Sequence, residues 1–183
     1  KRQVDYIHKA IDSEKNVPSF YLCLGIALVK LERWSEAEKY LEKVIQFSSN
    51  CVAQIDTQTN DYPNQIPTAY QAEAYYNLGK AKSGQQKWSE AVELYRQSWD
   101  LKPTIDCCLN LGVVLEKLEQ WSEVVECYRQ GMLVFGESGQ VLFNLAQALE
   151  HLEHRNVYHL IYEADSLVAV SYTHLRAHET LTD

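Results

Sequence analysis

Methionine is almost missing from this chain, one residue in 183, and proline and glycine are sparse at four and seven. So few breakers leave room for regular helices and exclude collagen-like or Gly/Pro-rich low-complexity structure. No stretch is apolar over anything near ~18 residues, which excludes a membrane-spanning helix. The opening, KRQVDYIHKAIDSEK, has neither an initiator methionine nor the apolar centre of a secretory signal, so the first residue is expected to be a cut inside a longer chain. The five cysteines, Cys23, Cys51, Cys107, Cys108 and Cys127, include no C-x-x-C pair with metal-ligand spacing. Their odd number and their apolar positions point to free thiols in a reducing, cytoplasmic setting.

Catalytic signatures are missing as well. There is no glycine-rich phosphate loop, G-x-S-x-G elbow, H-E-x-x-H or paired-carboxylate motif, so no catalytic or cofactor-binding residue is expected. His151, His154 and His159 form the one cluster that resembles a metal site. They straddle an expected turn at 153–156, and no metal ligand is assigned to them.

What remains, at 46% apolar and 23% charged residues, is the composition of a soluble globular protein. The formal charge is −8, with acid concentrated at Glu36, Glu38, Glu42, Glu90, Glu93, Glu123 and Glu126. These positions read as a solvated outer wall. A basic path for phosphates is missing, so nucleic acid is not an expected partner.

The strongest signal is a repeat. Between Ala72 and Thr104, Tyr75, Leu78, Gly79 and Lys82 are followed by an expected turn at Gly84 and then by Trp88, Ala91, Tyr95, Ser98 and Pro103. The steps return 33 residues later as Cys108, Leu111, Gly112, Leu115, Trp121, Val124, Tyr128 and Gly131. An earlier copy reads Tyr21, Leu24, Gly25, Leu28, Trp34, Ala37, Leu41 and Val44, and a weaker fourth reads Leu142, Leu145, Ala146, Leu149, Arg155, Tyr158 and Tyr162. Each unit reads as two short helices, too small to bury its own apolar face and obliged to stack on its neighbours. Small residues such as Gly79 and Ala91 let helices approach, while Leu78, Trp88 and Tyr95 are expected to fill the space between successive hairpins.

These residues resemble the tetratricopeptide repeats, whose pattern is W-x2-L-G-x2-Y, A-x3-F and P with a period near 34. The resemblance covers about three quarters of the chain and implies an all-α, right-handed solenoid of stacked antiparallel helix pairs. On that register, 1–16 is the second helix of a truncated repeat, 17–51 the first whole unit and 52–67 an inserted loop. The second unit is 68–104, the third 105–138 and a degenerate fourth 139–169. The tail 170–183 follows no repeat, and its VSYTHLRAHET is similar to one reading frame of a common transposon-end sequencing adapter. Authentic coding sequence is therefore expected to stop near Val168 to Val170.

In each first helix, core positions leave an opposite stripe at helical spacing. It reads Ser19, Cys23, Ile26, Lys30; Glu73, Asn77, Lys80, Gly84; Asp106, Asn110, Val113, Lys117; and Gln140, Asn144, Gln147, His151. Asn77, Asn110 and Asn144 fall in one column, similar to the asparagine ladder of O-linked N-acetylglucosamine transferase repeats. An amide both donates and accepts, so such a ladder suits an extended peptide backbone. Tyr76, Leu109 and Phe143 flank the column, Lys80 and Gln147 lie on the stripe, and Cys23 with Ile26 makes the first-repeat end apolar. The expected function is a non-catalytic scaffold binding a protein or peptide, with no cofactor and no membrane. The alternative is a substrate-selecting segment of a larger transferase, such as a glycosyltransferase. Weak self-association is a further expectation, through Tyr158, Ile161 and Tyr162 if the array ends near Leu167.

Overall fold

The computed structural model describes residues 2–14, 17–53, 67–136 and 138–155. They form helices α1 (Arg2–Ser13), α2 (Pro18–Lys30), α3 (Trp34–Ala53), α4 (Thr68–Gly84), α5 (Trp88–Leu101), α6 (Ile105–Lys117) and α7 (Trp121–Phe135). An eighth, α8, covers 139–155, and there is no strand among the described residues. Each helix packs on the next along the chain from α1 to α7, and α2 and α6 also flank α4, which is the stacking of a helical solenoid.

Local sequence explains where the helices start and stop. Pro18 opens α2 at its first turn, where its missing N–H costs nothing. Thr104 caps α6 by accepting a hydrogen bond from the Cys107 N–H at 3.2 Å. Within each hairpin the break is the same. Glu32, Gln86 and Glu119 take left-handed backbone at φ 57, 61 and 56°, each two residues before a tryptophan. The next N–H then reaches back to close the helix end, from Arg33 to the Leu28 carbonyl, Lys87 to Lys82 and Gln120 to Leu115, all at 3.0 Å.

Gly84 therefore does not make the turn, as its type leads one to expect. It is the last residue of α4, and its lack of a side chain makes room for Trp34 of the preceding hairpin, whose ring would lie 2.5 Å from a Cβ there. The other helix-internal glycines work inside one hairpin. A Cβ on Gly25 would meet the Leu41 side chain at 2.5 Å, on Gly79 the Tyr95 ring at 2.9 Å and on Gly112 the Tyr128 hydroxyl at 2.2 Å. Leu41, Tyr95 and Tyr128 are almost wholly buried. So Tyr95 fills space within its own hairpin, not between hairpins as the repeat pattern leads one to expect. Burial of this kind, a full large side chain per unit, contributes about 2–3 kcal/mol each.

Joints between hairpins are partly polar. Lys82 on α4 reaches Glu38 of the preceding unit at 3.3 Å and Glu90 of its own at 2.9 Å, and Gln85 also bonds Glu38. Arg96 on α5 pairs with Glu123 on α7. The acidic second helices are thus not only a solvated wall, since two of their carboxylates, Glu38 and Glu123, hold neighbouring units together. Two further departures concern helix ends. α3 runs on to Ala53, past the start of the expected loop, and α8 continues through 153–155, where a turn was expected. His159, Tyr158, Ile161 and Tyr162, most of the 52–67 insert and the 170–183 tail lie outside the described residues.

Candidate peptide-binding groove

The first helices of successive units, α2, α4, α6 and α8, carry the stripe opposite the core. Cys23, Lys30, Glu73, Asp106, Val113, Lys117, Gln140, Gln147 and His151 are exposed, and Ile26 and Lys80 are half-buried. The asparagine column lies deeper. Asn77 is 6% exposed, while Asn110 and Asn144 are half-buried. Burial of Asn77 follows from its position, because α4 is flanked by first helices on both sides.

Each amide is already engaged with protein. Asn77 Nδ2 donates to the Glu73 carbonyl at 2.8 Å, one turn back. Asn110 Nδ2 donates to the Asp106 carbonyl at 2.8 Å and to the Tyr76 hydroxyl at 2.9 Å, tying the second unit to the third across the groove floor. Asn144 Nδ2 donates to the Tyr128 hydroxyl at 3.3 Å, and its Oδ1 accepts from Gln140 Nε2 at 3.0 Å. With both Asn110 donor hydrogens committed, the group it turns to a ligand without rearrangement is the Oδ1 acceptor.

Tyr76 joins these parts. Its ring lies 5.9 Å from that of Tyr95, and the Lys80 ammonium stands 5.6 Å from its centroid, a cation–π distance. Burial pushes the Tyr76 phenol up to about 12, with the nearby Asp106 adding to the effect, so it remains neutral and serves as a hydrogen-bonding group. Leu109 is half-buried against the second core cluster, Ile26 against the first, and Phe143 is 60% exposed beside the asparagine column. The structure thus brings together Tyr76, Lys80 and Asn110, leaves Cys23, Phe143 and Gln147 open, and sinks Asn77.

One participant is not visible as such in the sequence. Tyr128 occupies a core position on α7, yet its hydroxyl passes over Gly112 to meet Asn144 and Glu116, each at 3.3 Å. The signal available was the pairing of a tyrosine with a glycine 16 residues earlier, shared with Tyr95 and Gly79. Trp121 makes a second link to α8. Its ring stacks on His151 at 4.3 Å between centroids, the place that Gly84 occupies under Trp34. Among the described residues no group of three His, Cys, Asp or Glu side chains is placed to hold a metal ion, and no helix is long and apolar enough to cross a membrane.

A helical solenoid whose glycine–aromatic and tryptophan contacts recur from unit to unit defines a class, the helical-hairpin repeat proteins. The tetratricopeptide-repeat family model matches residues 19–48 and 71–102, the first and second whole units. Those two units are tetratricopeptide repeats. Among solved structures, one of MamA is similar with a TM-score of 0.63 at 19% identity, covering 84% of this chain and 78% of that one. YrrB, described as a tetratricopeptide-repeat protein with an unusual peptide-binding site, is similar with a TM-score of 0.58 at 19% identity, covering 78% of this chain and 64% of that one. No curated protein matches the sequence. The repeats support a protein-interaction scaffold.

Proposed function

We propose that the scaffold is non-catalytic and holds an extended peptide along the stripe of α2, α4, α6 and α8. The observation that carries this is the Tyr76–Asn110 bond, which fixes an amide at the groove floor with its Oδ1 left to accept a peptide N–H. Asn144 continues the column, Lys80 offers a cation to a carboxylate or carbonyl of the ligand, and Phe143 and Gln147 contact its side chains beyond it. Cys23 and Ile26 favour an apolar ligand side chain at the first-unit end. The free thiols of Cys23, Cys107, Cys108 and Cys127 suit the reducing cytoplasm.

Peptides selected from a random library against the whole chain provide the test. Asn110→Ala and Asn144→Ala are each expected to weaken binding about tenfold, from a hydrogen bond worth about 1–1.5 kcal/mol. Asn77→Ala, at the buried position, is expected to lower stability instead. Unaltered affinity in the Asn110→Ala, Asn144→Ala double variant would remove the asparagines from recognition.

A further inference from the structure

Two thiols face each other across the seam between α6 and α7. Cys108 Sγ and Cys127 Sγ lie 4.0 Å apart, and each also lies 3.5 Å from the other residue's carbonyl oxygen. Gly131, one turn beyond Cys127, lets them approach, since a Cβ there would stand 2.6 Å from Cys108 Sγ. Cys107, next in sequence, points elsewhere and donates to the Tyr95 carbonyl at 3.2 Å. Cys108 is fully buried, but Cys127 is not. It lines a cavity of about 260 Å³ among α5, α6 and α7, with Trp99, Leu111 and Leu115 as apolar walls and Arg96 and Glu123 among its lining residues.

We propose that Cys108 and Cys127 are an oxidisable pair: hydrogen peroxide entering this cavity converts the two thiols into a disulfide that staples α6 to α7. The Cys127 thiolate attacks one peroxide oxygen; the O–O bond breaks, Cys127 becomes a sulfenic acid, and the departing hydroxide takes up a proton as water. The Cys108 thiolate then attacks that sulfur; the S–O bond breaks and the hydroxyl leaves as a second water after protonation. Two thiols and one peroxide give one disulfide and two waters, with the sulfurs oxidised by two electrons and the peroxide reduced by the same number. Bond formation needs the sulfurs to close from 4.0 Å to about 2 Å. The hydrogen bond to Cys108 and burial raise the Cys127 thiol, while the same bond lowers that of Cys108.

The experiment exposes the folded, full chain to hydrogen peroxide, alkylates remaining thiols, and maps the peptides by mass spectrometry, with fragmentation separating Cys107 from Cys108. The expected result is a Cys108–Cys127 cross-link. It closes a loop of about 19 residues and raises Tm by roughly 6–12 °C, reversibly with dithiothreitol. Cys108→Ser is expected to abolish both changes, and the wild-type map decides the matter even if that variant folds poorly. Recovery of Cys108 and Cys127 as free thiols while the exposed Cys23 oxidises overturns the proposal. So does Cys127 found as a sulfinic acid or joined to Cys107.

Discussion

Replacing Gly112 by alanine will destabilise the protein, although alanine is the better helix former. The added Cβ would fall 2.2 Å from the Tyr128 hydroxyl and 2.3 Å from its Cζ, where ordinary contact is 3.4 Å or more. Tyr128 is fully buried, so its ring must shift by about 1 Å inside a packed seam, at a cost of about 1–3 kcal/mol. The shift also strains the hydroxyl's bonds to Glu116 and Asn144, worth about 0.5 kcal/mol each at their long 3.3 Å. Against this, removing a helical glycine returns about 0.5–1 kcal/mol. The net loss is about 2 kcal/mol, or roughly 4–8 °C in Tm. Thermal and urea denaturation followed by circular dichroism measure it, with two internal references. Gly79→Ala, whose Cβ would stand 2.9 Å from the buried Tyr95 ring, is expected to show a smaller loss than Gly112→Ala, and Gly139→Ala, with nothing within 4 Å, to show none. A Gly112→Ala protein as stable as the wild type would refute the idea that this seam is held by matched size.

Gln86→Gly relieves left-handed backbone at φ 61° and is expected to raise stability by about 1 kcal/mol, read as a higher denaturant midpoint. Ser98→Ala removes a buried bond of 2.9 Å from its hydroxyl to the Ala72 carbonyl on α4 and is expected to cost about 1 kcal/mol in the same assay. Hydrogen bonding between Lys82 and Glu90 raises the amine's pKa above its ordinary 10.5 and lowers the carboxyl's below its ordinary 4.5. The bridge therefore contributes fully between those ordinary values. It is lost as pH falls through the lowered Glu90 value or rises through the raised Lys82 value. Comparing Lys82→Gln with wild type across pH checks this, since a difference that grows below pH 4.5 contradicts the assigned direction.

The helix pairs and their stacking were legible because a period of 33 residues repeats large and small side chains in register, and size alone dictates which helices can approach. What the period does not carry is the offset between one unit and the next. Stripe geometry treats Asn77 as facing away from its partner helix, which is true, yet neighbouring first helices close over it. The Tyr76–Asn110 bond likewise depends on an inter-unit distance that no single repeat contains. Residue type misled at two places. Gly84 reads as a turn former but serves as a seat for Trp34, and the actual turn uses Gln86. The inserted loop reads as starting at Val52, yet α3 continues to Ala53.

The tryptophan contacts bear on how the molecule yields to force. Within a hairpin, Tyr95 against Gly79 and Tyr128 against Gly112 interlock like a key in a slot, and neither can slide without a clash. At the joints, by contrast, Trp34 lies over the bare Gly84 and Trp121 lies flat on the His151 ring, and flat faces permit gliding. Strain applied along the solenoid will therefore collect at these joints, and the molecule will deform as a spring of stiff coils with lubricated contacts, widening or tightening its trough while each coil keeps its shape.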